Sequence, residues 1–273
     1  MATTRKPTAK AAAQVLPFDV RLMNGVASLI FVGVVLALSW QAVKWATRSP
    51  VFTVRAIALD AVLQRSNVAA VRAVALPRLS GNFFSIDLDA TRAAFESVPW
   101  VRRAVVRRVW PNRLAVSLEE HRAAALWQGD GSRHERLLNT HGEVFEANVG
   151  DVADEELPTL AGADMSSAQM LLLYQRLGAA LAPIEQQVHL LRLSSRGSWR
   201  AELAGGARIE LGRGSDDDVV ARVDRLVRTL PQVNSRFSDK PRALVAADLR
   251  HPDGYALRLA GVSTATQQNG SAR

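Results

Sequence analysis

Between Leu22 and Val43 the chain carries no charged residue, reading LMNGVASLIFVGVVLALSWQAV. At 1.5 Å per residue a helix over this run is about 33 Å long, which matches a hydrocarbon core of about 30 Å. Trp40, Lys44, Trp45 and Arg48 stand at its C-terminal end, where interfacial anchors belong. A cleaved signal peptide has an apolar core of roughly 7–15 residues followed by a small-residue cleavage site. This run is longer, and the QAVKWATRSP that follows is a poor site. The expectation is a basic tail over 1–21 and a retained transmembrane helix over 22–45. Arg5, Lys6, Lys10 and Arg21 precede the span, while Lys44, Arg48 and Arg55 follow it, so charge bias alone leaves the orientation open. A short basic tail inside and a large translocated region outside is the usual arrangement.

With the anchor set aside, about 225 residues remain, enough for two ordinary domains. A composition 48% hydrophobic and 22% charged is that of a globular chain. The chain has no cysteine, which excludes disulfides, Cys-ligated zinc, iron–sulfur clusters and thiol nucleophiles. A net charge of +8 invites a nucleic-acid reading. The basic residues are interspersed with acidic ones, however, and the one dense cluster, Arg102, Arg103, Arg107 and Arg108, falls in a strand pattern. No RNP-like, helix-turn-helix or zinc-finger signature accompanies it.

Hydrophobic periodicity predicts an α+β fold in two parts. Residues 46–120 read as a β-α-α-β-β unit. It opens with a strand pattern from Phe52 to Leu59 and a short helix capped by Ser66, carrying Val68, Val71 and Ala75. After a loop at Gly81-Asn82, a second helix capped by Asp87 or Asp89 carries Leu88, Thr91, Phe95 and Val98 and stops at Pro99. Strands at Val101–Val109 and Leu114–Leu118 flank a Pro111-Asn112 turn. Residues 121–260 read as a mixed β-sheet with flanking helices. A hairpin is expected around Gly142 and a helix from Ser166 or Ser167 to Pro183. Strands follow at 188–193, 199–203 and 208–211. A helix capped by Ser215 then ends at Pro231, and strands at 243–249 and 255–259 close the unit. Residues 261–273 read as a flexible tail.

Catalytic constellations are not evident. The five histidines are scattered, with no His-Glu-x-x-His and no metal-ligand spacing, and no G-x-S-x-G elbow occurs. Gly212-Arg213-Gly214-Ser215 precedes a helix, but it lacks a P-loop lysine and is followed by Asp216, Asp217 and Asp218. It therefore reads as a helix cap rather than a phosphate cradle. Glu119 and Glu120 are strand neighbours facing opposite sides, which disfavours an acid/base pair. No enzyme, cofactor or metal site is expected. The arginine-rich strand reads either as a charge-protected sheet edge or as a docking surface.

The motifs Gly81-Asn82-Phe83-Phe84, Val98-Pro99-Trp100-Val101, Val106-Arg107-Arg108-Val109-Trp110-Pro111 and Leu118-Glu119-Glu120-His121 resemble the POTRA module of the FtsQ/DivIB cell-division proteins. The likeness continues in order through Asn139-Thr140-His141-Gly142-Glu143-Val144-Phe145, Leu157-Pro158-Thr159-Leu160-Ala161-Gly162, Arg196-Gly197-Ser198-Trp199, Ile209-Glu210-Leu211-Gly212-Arg213 and Asp248-Leu249-Arg250. It implies a single-pass inner-membrane protein with its N-terminus in the cytoplasm and its bulk in the periplasm, located at the division septum. It also implies an essential, non-catalytic divisome scaffold that joins early and late division proteins and helps control septal peptidoglycan synthesis. The implied partners are the coiled-coil proteins FtsB and FtsL in a trimeric complex, with FtsK upstream. In the family a strand of FtsB adds to the last sheet strand. The matching positions here are Arg250, His251, Asp253, Gly254, Tyr255, Ala256 and Leu259, with Arg196 on the neighbouring motif. His251 and Leu259 stand where the family often has Tyr and Trp, so Tyr255 is the expected aromatic anchor. Arg103, Val106 and Arg108 fall on the family's recruitment surface. A generic membrane-anchored POTRA chaperone or translocation partner is the alternative; neither tandem POTRA repeats nor a C-terminal barrel is visible to favour it.

Overall fold

The computed structural model describes residues 18–48, 52–54, 56–60, 63–66, 68–75, 77, 82–131, 134–237, 242–251 and 254–261. Arg5, Lys6, Lys10, Arg55, Gly81 and Asp253, and the tail beyond 261, lie outside that set. The first element is a helix, α1 (Phe18–Arg48), in which Leu22–Thr47 is long and apolar enough to cross a membrane. None of that stretch is buried against the rest of the protein. A helix with apolar residues on all sides needs an apolar solvent, so α1 fits a single-pass anchor.

The first folded unit has the β-α-α-β-β order of the POTRA module that its sequence resembles. It comprises β1 (Ala56–Asp60), α2 (Val68–Ala75), α3 (Leu88–Glu96), β2 (Val101–Val109) and β3 (Arg113–Glu120). The sheet order is β1-β3-β2, with β1 parallel and β2 antiparallel to β3. Val71, Ala75, Phe95, Val98, Val101, Ala104 and Val116 form its core. Asp87 caps α3 by accepting from the N–H groups of Asp89 and Ala90. Ser66 does not act as the expected cap. Its N–H donates to Glu120 Oε1 at 2.7 Å, so the residue is tied to the end of β3.

The second unit contains β4 (Ala123–Gly129), β5 (Arg136–Asn139), β6 (Val144–Phe145), β7 (Thr159–Gly162), β8 (Val188–Leu193), β9 (Trp199–Leu203), β10 (Arg208–Gly212), β11 (Leu244–Asp248) and β12 (Ala256–Leu259). They make one mixed sheet in the order β12-β11-β10-β9-β8-β7-β4-β5-β6. Two helices, α4 (Ser167–Leu181) and α5 (Asp216–Phe237), bury Met170, Leu173, Leu177, Val219, Val223 and Leu226 in the same core as Trp127, Leu160, Leu191 and Ile209. Ser167 does not cap α4 but donates its hydroxyl to Gly142 O at 2.7 Å, tying the helix to the β5–β6 turn. The Cβ of any residue larger than glycine at 142 would lie 2.6 Å from Ala168 Cα.

Pro231 does not end α5, which runs on to Phe237. The proline cannot donate to the Val227 carbonyl, but its ring lies on the exposed side of the helix and the chain stays helical for about two further turns. At its start α5 has a reciprocal cap. Ser215 N–H donates to Asp218 Oδ2 at 2.9 Å, and Asp218 N–H donates to Ser215 Oγ at 3.2 Å.

The two units share a small core of their own, made of Trp100, Leu137, Phe145 and Val152. Trp100 has a left-handed backbone (φ 71°), and its indole N–H donates to Asp151 Oδ2 at 2.9 Å. Arg65 lies over the same ring and bonds Asp151 O and Glu155, so POTRA loop and β-domain loop close around one aromatic side chain. Arg102 bridges the units on the other side. It donates to Glu119 of the POTRA sheet at 2.7 Å and to both carboxylate oxygens of Glu143 at 2.8 and 3.0 Å. Hydrogen bonds from Arg102 and Asn139 hold the Glu143 carboxyl down at about 2. Glu119 and Glu120 therefore act in separate structural roles, the first on Arg102 and the second on the N–H groups of Gln64, Arg65 and Ser66.

Candidate partner-binding edge

Strand β12 is the last strand of the nine, and among the described residues it pairs only with β11. Antiparallel pairing aims alternate residues' amides at the neighbour. Ala260 N–H donates to Ala243 O at 2.9 Å, and Ala247 pairs with Leu257 and Asp248 with Ala256. The alternation turns the N–H and C=O groups of Ala256 and Arg258 toward β11 and those of Tyr255, Leu257 and Leu259 away from it. The side chains alternate as well. Ala256 and Arg258 are exposed, Tyr255 and Leu257 are half-buried against the main core, and Leu259 is only 5% exposed.

The turn that feeds β12 is held from several directions. Leu249 is buried and donates its N–H to Glu210 O at 2.8 Å, which locks the end of β11 onto β10. Arg250 forks onto Asp248, with Nε to Oδ1 at 2.8 Å and Nη2 to Oδ2 at 2.5 Å, and pulls that carboxyl down to about 2. Beneath the turn, Arg222 of α5 bonds the carbonyls of Leu211 and Arg213. Gly212, at φ 81°, leaves room there, since a Cβ would come within 2.9 Å of Arg222 Nη1 and 3.2 Å of Arg250 Cγ. The Tyr255 hydroxyl bonds Thr229 of α5, so its ring is fixed rather than free.

Arg196 sits on the exposed β8–β9 turn with Gly197 at φ 73°. Because β10 and β11 run parallel and β9 pairs Trp199 with Gly212, this turn lies at the same end of the sheet as the turn before β12. Three strand spacings, about 14 Å, separate Arg196's hairpin from β12. The structure thus brings Arg196, Arg250, His251, Gly254, Tyr255 and Ala256 to one end and edge of the sheet. Leu259 belongs to the same strand but turns its side chain into the core.

On the POTRA sheet the three expected residues separate. Arg103 is exposed on the face opposite the helices, with Val105 and Arg107. Val106 is half-buried and packs against the POTRA core. Arg108 donates to Phe83 O at 2.8 Å and to Ile86 O at 2.7 Å, so its guanidinium holds a loop in place. Neither Val106 nor Arg108 offers its side chain freely, because strand alternation puts both on the helix-covered face with Ala104. Arg222, Thr229 and Gly212 were not evident as supports from sequence. The one available signal was Gly212, a glycine directly after an apolar strand and before a helix cap.

An anchor helix, one POTRA unit and a mixed sheet ending on an open strand define a membrane-anchored POTRA protein built for protein–protein contact. Residues 52–121 match the family description "POTRA domain, FtsQ-type", and residues 125–250 match "Cell division protein FtsQ/DivIB, C-terminal". The chain is 39% identical over 245 residues to "Cell division protein FtsQ" of Burkholderia pseudomallei, covering 89% of this chain and 94% of that one. It is 38% identical to the proteins of the same name from Thiomonas arsenitoxydans (90% of each chain) and Bordetella pertussis (89% of this chain, 92% of that one). The chain belongs to the FtsQ/DivIB family of cell-division proteins.

Proposed function

We propose that this chain is a non-catalytic divisome scaffold of the inner membrane, with its N-terminus in the cytoplasm and both folded units in the periplasm at the septum. Its β-domain captures a strand of FtsB, in complex with FtsL, along β12, and through that trimer it helps control septal peptidoglycan synthesis. The observation that carries the reading is the outward set of amides on Tyr255, Leu257 and Leu259. An exposed strand edge offers paired donors and acceptors that a strand of another chain satisfies. A partner segment continuing past the start of β12 would meet Asp248-paired Arg250, then Arg196 about 14 Å further along the sheet end. That geometry supports a partner carrying an acidic group beyond its strand.

Recruitment by FtsK is assigned to the open face of the POTRA sheet. Arg103, with Val105 and Arg107, supplies the surface. Val106 and Arg108 act by fixing the shape of β2 from beneath. Co-purification of FtsB and FtsL with the full-length chain from membranes tests the central claim, and Leu257→Pro separates strand addition from any other mode of binding.

A further inference from the structure

Five aromatic rings crowd the end of the POTRA domain nearest α1. Trp45 in the last turns of α1 lies 6.2 Å from Phe52, ring to ring. Phe52 lies 4.9 Å from Phe84 and 6.1 Å from Trp110, and Phe83 lies 5.9 Å from Trp110. The cluster is not a closed core. Trp110, at the tip of the β2–β3 hairpin, is 67% exposed, Phe84 46% and Val109 43%. Arg107 and Arg113, flanking the hairpin tip, are also exposed.

The anchor fixes where this patch sits. Asn82 Nδ2 donates to Ala46 O at 3.1 Å and to Thr47 O at 2.5 Å, satisfying carbonyls that the end of α1 would otherwise leave open. Asn82 is buried, and its Oδ1 accepts from the N–H groups of Phe84 and Ser85 at 3.0 Å each. One side chain therefore joins the helix end to the aromatic loop. The uncharged run ends at Val43, so Ala46 and Thr47 emerge into the headgroup layer, which adds roughly 5–7 Å to each side of the hydrocarbon core. A patch two ring contacts away from Trp45, at 6.2 and 6.1 Å per step, is within reach of that layer. Indole and phenyl rings beside arginines are the chemistry that this layer favours, with apolar bodies sinking and cations meeting phosphates.

We propose that Trp110, Phe84 and Phe52 form a second membrane contact, docking the POTRA tip into the headgroup layer of the leaflet where α1 ends. Arg113, at the start of β3, faces lipid phosphates. The contact rests on the anchor reading of α1 and sets the tilt of the POTRA domain on the bilayer.

The natural absence of cysteine allows single nitroxide labels in the full-length chain. Labels go on Val109→Cys beside the patch, Ser117→Cys on the same sheet face further from the hairpin tip, and Leu36→Cys inside α1. The protein is held in nanodiscs of phosphatidylethanolamine and phosphatidylglycerol, and accessibility to oxygen is compared with accessibility to a water-soluble nickel complex. The expected oxygen-to-nickel ratio at 109 is several-fold above that at 117, and Trp110→Ala with Phe84→Ala brings it down to the value at 117. Trp110→Tyr with Phe84→Tyr retains the raised ratio. Equal ratios at 109 and 117, with position 36 still lipid-like, overturn the docking and leave the anchor standing. A water-like ratio at 36 overturns the anchor itself. Shielding of 109 from both reagents means that protein, rather than lipid, covers the patch, which also overturns the proposal.

Discussion

Leu257→Pro isolates the feature on which the proposed partner capture depends. The Leu257 N–H points away from β11, so a proline there removes an edge donor while the β11–β12 ladder, carried by Ala256 and Arg258, keeps its bonds. Leu257 is half-buried, and replacing it forfeits part of the 1.5–3 kcal/mol of a fully buried leucine, so about 1 kcal/mol of stability. That is small beside the roughly 5–15 kcal/mol of an ordinary domain. On the binding side, a carbonyl of the added strand loses its donor and is left unpaired, at about 1–3 kcal/mol, and the ring fills the space in which the strand must lie. The expected result is a partner affinity reduced about ten- to a hundredfold, with the circular dichroism spectrum unchanged and a melting temperature only a few degrees lower. Ala256→Pro is the contrast. Its N–H faces β11, so it damages the fold itself and costs more stability than Leu257→Pro. Calorimetric titration of the two variants with the FtsB–FtsL complex decides the matter. A folded Leu257→Pro protein that binds within twofold of the natural chain refutes strand addition at β12.

Two further predictions concern the junction between the units. Trp100→Ala removes the ring shared by both and is expected to cost about 3–5 kcal/mol, splitting denaturant unfolding into two transitions; a single transition with an unchanged midpoint contradicts the assigned role. Glu143 has a folded pKa of about 2, below its ordinary value of 4.5, so the stability it contributes is complete above about pH 4.5 and is lost as pH falls toward 2. Because its side chain is 49% exposed, solvent screening limits that contribution to about 1 kcal/mol, and Glu143→Gln should flatten the corresponding part of the stability–pH curve.

Local pattern revealed most elements, and long-range pairing revealed itself least. The alternation in 255–259 and the apolar stripe of Val219, Val223 and Leu226 are properties of neighbours in sequence. Placing β12 at an edge required knowing that β11 runs parallel to β10, which no local signal encodes. The same limit hid the bond from Ser66 to Glu120 and the bridge from Arg102 to Glu143, each made between residues more than forty positions apart. Val106, Arg108 and Leu259 are a different case. Period-two alternation was sufficient to turn them inward, with Ala104 marking the covered face of β2, and Tyr255 and Leu257 that of β12. Pro231 is a stop signal by local rule alone, yet α5 carries it on an exposed side and continues to Phe237.

An open edge is dangerous for a protein held at high local density in a membrane, since copies could pair with one another. β12 limits that risk by being four residues long and by carrying Arg258 on its exposed face. So short a strand supplies few main-chain bonds, and these do not distinguish one partner from another. Discrimination must then come from what lies beyond the strand. Arg250 is set by its fork onto Asp248 and by Gly212 beneath it, and Arg196 waits at the neighbouring turn. If β12 captures a strand as proposed, the bracing of that turn by Arg222, Leu249 and Thr229 has a use: the edge provides adhesion, and the braced end of the sheet decides which chain is allowed to use it.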